Sequence, residues 1–360
     1  MMNHRNLIEF DYVGCYRYTK NESSDETDKN LFNIEMNIGP NKINQSLIPE
    51  TVNSMKKFES NDYLDLSDGI DKFYDDGTNE KLETILQFIE QMDSKETNLR
   101  KRIDSEFICN RGLLKLIAHS VAKYGLEDLE FRALRKKDVI FMCFKSYDAE
   151  YNKKYVKLTH LATKFENSVT LNDEKEEGQG DGRVSLRSKM KIVNRLLIKK
   201  TWKPLTVFSC SEVDAVDNDR NLIEIKLLRR GRNNNQWLKH RAFKIYLQVY
   251  LANVHLFLFG YRCHGMYSEN STMAETNEHP DSYSVYQTEL VAREEVFSCP
   301  KLVDKATVFL YDTLKTIKNM LNENDMAISA KRIYRTRFEF QFIDANDCEF
   351  VPTDFLAKFE

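Results

Sequence analysis

The stretch Val207-Phe-Ser-Cys-Ser-Glu212-Val-Asp214-Ala-Val216-Asp-Asn-Asp-Arg-Asn-Leu222-Ile-Glu224-Ile-Lys226-Leu-Leu228 decides how the rest of this chain is read. Two β-like runs, Val207 to Val216 and Leu222 to Leu228, flank a polar turn. Side chains two apart along a strand share a face, so Glu212 lines up with Asp214 and Glu224 with Lys226. A hairpin between the runs brings three carboxylates and one ammonium together. Carboxylates held that close repel one another unless a cation neutralises them, and an oxygen-only ligand set suits Mg²⁺ or Mn²⁺. A lysine beside such a site can hold a phosphate oxygen or the attacking water. The pattern points to a metal-dependent phosphodiesterase core. An ordinary solvated hairpin with alternating charge produces the same pattern, and these residues alone do not choose between the two.

An acid, about ten residues, then Glu-x-Lys is also the spacing of the PD-(D/E)xK nucleases, a signal short enough to arise by chance. A chain of 360 residues accommodates one large domain or two ordinary ones, and its 22 Phe and 17 Tyr supply a substantial core. The opening Met-Met-Asn-His-Arg-Asn is not followed by an apolar signal region. No stretch approaches the length of a membrane span; the longest candidate, Ile245 to Phe259, is broken by Gln248, Asn253 and His255. The seven cysteines (15, 109, 143, 210, 263, 299 and 348) include no C-x-x-C, so neither a disulfide framework nor a zinc site is expected. These features describe a reduced intracellular protein.

The net charge of −3 excludes an indiscriminate polyanion binder, but the charges are unevenly spread. Acids crowd Glu22 to Asp28, Asp62 to Asp76 and Asp173 to Glu177, while bases crowd Arg183 to Lys203 and Lys226 to Lys244. The second basic run begins at the acidic hairpin, which suits a polyanion held in one groove.

Helical spacing appears at Glu80 to Met92, Gly112 to Tyr124, Tyr151 to Val169, Trp237 to Ala252 and Leu302 to Leu321. Strand-like alternation appears at Phe10 to Tyr18, Phe32 to Ile38, Val207 to Val216, Leu222 to Leu228, Leu256 to Arg262 and Ile333 to Phe342. The mixture implies an α/β or α+β fold, with helices flanking a central mixed sheet. Residues 20–30 and 172–183 read as mobile loops, neither long enough to mark a domain boundary, so 1–360 is expected to form one catalytic domain.

Two helices bear on the site. In Tyr151 to Val169, Tyr155, Leu158, Ala162, Phe165 and Val169 form an apolar stripe with Glu166 at its edge, the place of an ordinary solvated flank. In Trp237 to Ala252, Leu238, Ala242, Ile245 and Val249 form the stripe, and Arg241, Lys244 and Gln248 share a neighbouring face. Gln248, if buried, needs hydrogen-bond partners and reads equally as a satisfied core amide.

Taken in order and spacing, these pieces resemble the decapping exoribonucleases related to mammalian DXO and their fungal counterparts, over roughly Phe107 to Arg262. Phe107-Ile-Cys-Asn-Arg111-Gly-Leu-Leu-Lys-Leu resembles the family's arginine motif. Ala162-Thr-Lys-Phe-Glu166 resembles its second motif, and Glu212-Val-Asp214 and Glu224-Ile-Lys226 its paired acidic motifs. Lys244-Ile-Tyr-Leu-Gln248 corresponds to the helix carrying the active-site glutamine, and Phe259-Gly260-Tyr-Arg262, followed by Gly265, to a strand ending in a Gly-aromatic-Arg turn.

The resemblance implies that Glu166, Glu212, Asp214 and Glu224, with the carbonyl of Ile225, ligate a pair of Mg²⁺ or Mn²⁺ ions. It implies that Lys226 and Gln248 hold the scissile phosphate and the nucleophilic water, and that Arg111 holds the RNA backbone near its 5′ end. The implied chemistry is hydrolysis at RNA 5′ ends: pyrophosphate removal, decapping of incomplete or non-canonical caps including NAD, and 5′-to-3′ degradation. The fungal relatives bind a 5′-3′ exoribonuclease, a partner implied here by resemblance alone; an intracellular location, in the nucleus or cytoplasm, and no membrane association are expected. Two positions depart from the pattern: Ala162 stands where the second motif begins with glycine, and Asn253 stands where a glycine follows the glutamine helix. The alternatives are a weakened paralogue that binds RNA ends without turnover, and a DNA nuclease of the broader PD-(D/E)xK type.

Overall fold

The computed structural model describes residues 7–20, 32–37, 45–47, 55–57, 64–70, 80–124, 126, 128–145, 153–172, 188–229, 232, 237, 240–262 and 283–360. The loops expected at 20–30 and 172–183 fall outside these residues, except for Lys20 and Asn172, each of which ends a strand.

Among the described residues the strands form two mixed sheets. The first runs, in spatial order, Arg337–Ile343 (β17), Ala327–Tyr334 (β16), Glu130–Lys136 (β7), Val139–Phe144 (β8), Phe107–Asn110 (β6), Leu205–Val213 (β11), Ser188–Ile198 (β10), Ile8–Lys20 (β1) and Phe32–Asn37 (β2). The second runs Met55–Lys57 (β4), Ser284–Ala292 (β15), Leu256–Arg262 (β14), Leu222–Leu228 (β13), Ala215–Val216 (β12), Gln45–Leu47 (β3) and Thr170–Asn172 (β9), with Leu64–Asp65 (β5) also pairing to β15. The mixed sheet structure expected from the sequence is divided in two, and Asp214 is where the chain passes between the sheets.

That division corrects the continuous strand expected over Val207 to Val216. Residues up to Val213 pair with β10 and β6, whereas Ala215 and Val216 pair with Ile223 and Leu222. The hairpin turn forms as its sequence dictates. Asp217 Oδ1 accepts hydrogen bonds from the N–H groups of Asp219 and Asn221 at 2.9 and 2.8 Å, and Arg220 takes a left-handed φ of 66°. The run Ile333 to Phe342 is likewise two strands. Arg335 adopts φ 33° between β16 and β17, and no Gly, Pro or Asn marks the reversal.

Helices cover the sheets: Glu83–Gln91 (α1), Leu99–Ile103 (α2), Arg111–His119 (α3), Lys153–Val169 (α4), Ala242–Tyr250 (α5), Arg293–Val296 (α6), Pro300–Met320 (α7) and Thr353–Leu356 (α8). On one side of the first sheet Leu113, Leu114 and Ile117 of α3, Leu247 of α5 and Leu310 and Leu314 of α7 pack on Phe107, Val207 and Ile328. On the other, Ile85, Phe88 and Ile89 of α1 pack on Phe141, Val193 and Phe208. Helix α4 lies on the second sheet, with Leu161, Phe165 and Val169 buried against Ile223, Ile225 and Leu258. Leu158, assigned to that stripe from spacing, is 42% exposed; Leu161 is the residue that turns inward. No helix among the described residues is long and apolar enough to cross a membrane.

Candidate metal centre

Glu224 lies in the middle of β13, between Ile223 and Ile225, with Phe257 opposite it on β14. Its side chain is buried, which would ordinarily drive a carboxyl towards its neutral form. Three elements prevent that. Strand β6 runs parallel to β11 and hands the chain to α3, whose first residue, Arg111, places a guanidinium nitrogen 3.5 Å from Glu224 Oε2. The last turn of α5 carries Gln248, whose Nε2 donates to Glu224 Oε1. Lys226, two residues along the same strand face, closes an ion pair with the same oxygen. Burial is the largest influence on Glu224 and works to raise its pKa. Lys226 and Arg111, helped by Lys115 one turn further along α3, more than offset it and hold the carboxyl below its usual range.

Asp214, at the crossing between sheets, is pinned to β13: its Oδ2 accepts the Ile225 N–H at 2.7 Å. The ammonium of Lys226 then occupies the middle of the group. It donates to the Ile225 carbonyl at 3.0 Å, pairs with Glu224 Oε1, and stands 3.8 Å from Asp214 Oδ2. Burial opposes its charge, but Glu224, Asp214 and then Glu166 on α4 outweigh burial and raise the Lys226 pKa above the ordinary lysine value. Four of the five expected ligands (Glu166, Asp214, Glu224 and the Ile225 carbonyl) therefore act on one positive charge.

Glu212 is placed differently. It is the last residue but one of β11 in the first sheet, accepts a hydrogen bond from the Tyr18 hydroxyl at 3.2 Å, and sits in register with Lys191 of β10. Among the described residues no three His, Cys, Asp or Glu side chains are clustered closely enough to hold an ion as they stand. The Lys226 ammonium fills the middle of the oxygen set instead. A cation-filled shell of carboxylates and a backbone carbonyl is the donor chemistry that hard divalent ions take, so the residues fit such an ion in kind.

Sequence reasoning missed the supports. Tyr18, on β1 near the N-terminus, donates to Glu212 and holds it. Lys191, one of the bases crowded between Arg183 and Lys203, is buried: it pairs with Glu80, donates to Thr84 Oγ1 at 3.2 Å and lies 4.7 Å from the Tyr18 ring centre. Three described neighbours in that run are paired with acids as well, Arg195 with Asp11, Lys199 with Glu9 and Lys200 with Asp312. Arg232 of the second run pairs with Glu289 at 2.7 Å. Asn253 adopts φ 57°, a left-handed conformation that favours glycine and that asparagine tolerates best after it, so this departure keeps the backbone it replaces. Gly265 and Leu238 lie outside the described residues.

An acid at a strand crossing, Glu-x-Lys on the adjacent strand and a helix-borne glutamine over a mixed sheet define a nuclease core of the PD-(D/E)XK class. Residues 13–356 match the family of RAI1-like PD-(D/E)XK nucleases, and the chain belongs to that family. It is similar to the decapping nuclease dom-3 of Caenorhabditis elegans, at 26% identity over 82% of this chain and 75% of the relative. Its fold matches that of Scheffersomyces stipitis Rai1, crystallised with (3′-NADP)⁺ and calcium, with a TM-score of 0.68, 14% identity, and coverage of 98% of this chain and 95% of that one. Candida albicans Rai1 in complex with pU5 and Mn²⁺ matches with a TM-score of 0.66, 12% identity, and the same coverage of each chain. The chain is thus a hydrolase of the group that acts on RNA 5′ ends.

Proposed function

We propose that this protein is a divalent-metal-dependent RNA 5′-end hydrolase that works as one catalytic domain. It removes pyrophosphate from triphosphorylated ends and incomplete or non-canonical caps, NAD among them, and degrades the exposed body 5′ to 3′. The observation that carries the reading is the ring of Asp214, Glu224 and the Ile225 carbonyl around the Lys226 charge, with Glu166 adding its field. The metal- and nucleotide-bound forms of the two fungal Rai1 proteins support it. Glu166, Glu212, Asp214, Glu224 and the Ile225 carbonyl would hold one or two Mg²⁺ or Mn²⁺ ions. Such ions lower the pKa of bound water and stabilise the charge on the leaving oxygen.

The chain's own residues do the rest. Lys226, released from the carboxylates, is placed to hold a phosphate oxygen; Gln248 orients the water beside Glu224; Arg111 anchors the RNA backbone at the start of α3. Incubation with 5′-labelled triphosphate, monophosphate, hydroxyl and NAD-capped RNA, with and without Mn²⁺, tests the reading. Metal-dependent release of pyrophosphate or of the cap supports it. Tight RNA binding without any turnover would instead establish the weakened paralogue, and equal cleavage of DNA the broader nuclease. A 5′-3′ exoribonuclease as protein partner belongs to this reading through family likeness alone.

A further inference from the structure

Gly260 occupies an interior position of β14, opposite Leu227 of β13. Glycine weakens a strand, and its backbone here does not take the positive φ that would require it. The reason lies above it. A methyl group on its α-carbon would stand 2.4 Å from Cζ of Phe165 and 2.7 and 2.8 Å from the two neighbouring ring carbons. The tip of the Phe165 ring therefore rests on bare backbone. That ring is fully buried among Leu161, Val169, Ile223, Ile225 and Leu258, so it has no space to swing aside. Anything larger than hydrogen at position 260 must lift α4, by about 1 Å to restore ordinary contact.

Glu166 is the next residue of α4, and its charge acts on Lys226 at the centre of the site. We infer that Gly260 is a positioning residue for Glu166: the seat of Phe165 on its bare backbone sets how near the helix-borne carboxylate comes to Asp214 and Glu224, and so sets the affinity for the divalent ion. The inference rests on the reading of Glu166 as a ligand. Strand β14 thereby contributes to the metal site without supplying a ligand.

Calorimetric Mn²⁺ binding to the full chain tests it, alongside Mn²⁺-dependent turnover of triphosphate RNA. Gly260→Ala should weaken Mn²⁺ binding about tenfold or more, the range for groups that orient a ligand. The KM for RNA should stay within about threefold of wild type, since the residues proposed to hold RNA, Arg111, Lys226 and Gln248, lie on elements other than α4 and β14. Phe165→Leu, added to Gly260→Ala, should recover most of the lost affinity by removing the colliding ring. Phe165→Tyr, with Gly260 intact, should weaken the ion from the opposite side of the contact and serves if Gly260→Ala does not fold. Glu166→Gln separates the two layers. If Glu166→Gln weakens Mn²⁺ while Gly260→Ala and Phe165→Tyr bind it as wild type does, the inference is overturned and the ligand reading stands. If Glu166→Gln changes nothing, the ligand reading itself fails. A Gly260→Ala loss that Phe165→Leu does not repair also overturns the inference, because the effect would not run through the ring.

Discussion

Two lysines of this chain sit among acids, and they do opposite work. Lys191, on β10, has a side chain only 4% exposed, closed in by Glu80, Thr84 and the Tyr18 ring. Lys226, on β13, meets Glu224, Asp214 and the Ile225 carbonyl, yet 26% of its side chain remains open to solvent. Burial penalises both charges. At Lys191 the fields of Cys210, Glu80 and Glu212 exceed that penalty and raise its pKa; at Lys226 those of Glu224, Asp214 and Glu166 do the same. The difference is access. A sealed ammonium is a fixture of the core, whereas one with an open side can be exchanged for another cation. Accessibility, more than charge, tells the structural cluster from the functional one.

The comparison breaks most plainly at the sealed lysine. Lys191→Ala should destabilise the protein by about 3–5 kcal/mol, because it strands the Glu80 carboxylate in the interior. Urea unfolding measures this, and the double variant Lys191→Met/Glu80→Gln should recover much of the loss. A mild effect of Lys191→Ala would mean that this cluster is as open as the other.

At the open cluster the expected loss is in rate. Glu224→Ala should lower kcat/KM on 5′-triphosphate RNA at least about a hundredfold, or about 2.7 kcal/mol in transition-state terms. Its removal leaves Arg111, Lys226 and Gln248 with no shared acceptor. Near-normal hydrolysis would place the chemistry elsewhere.

Lys226→Met sharpens the idea of exchange. Without the competing ammonium, Mn²⁺ should bind at least as tightly as in wild type, read from the rise in Tm with metal concentration. Turnover should still fall by about tenfold or more as a phosphate contact is lost. Weaker Mn²⁺ binding would show that the lysine supports the ion rather than standing in for it. The smallest effect belongs to the flank of α5. Charge reversal at Arg241 and Lys244 should flatten the slope of log RNA affinity against log salt by about one per lost phosphate contact. An unchanged slope moves the RNA path off that helix.

Much of this was legible in the sequence where local pattern and tertiary role coincide. The hairpin at Asp217–Arg220, strands β13 and β14, and the inward faces of α3 and α5 follow from turn chemistry and periodicity. The legible strands alternate or carry charge. Val139–Phe144 is buried along nearly its whole length and shows no alternation, so β8 left no period-two signal. β10 is hidden in the sequence because its basic residues mask the strand pattern, and the burial of Lys191 depends on Glu80, 111 residues away. The passage between sheets at Asp214 had no local mark, since Val-Asp-Ala continues a strand as readily as it ends one. In the site, Arg111, Asp214, Glu224, Lys226 and Gln248 meet in space as their motifs implied. Tyr18 and Lys191 reach Glu212, and Glu80 reaches Lys191, only through long-range pairing that no spacing encodes.

The passage at Asp214 has one more consequence. The chain leaves the first sheet at Val213 and enters the second at Ala215, so a single residue bridges the two. Glu212 travels with one sheet and Glu224 with the other, on either side of that residue. Any change in the angle between the sheets would be geared into the gap between these two acids, as the jaws of a pair of pliers answer to their pivot. Asp214, tied by its side chain to Ile225, sits at that pivot and would stay nearly still while the gap changes.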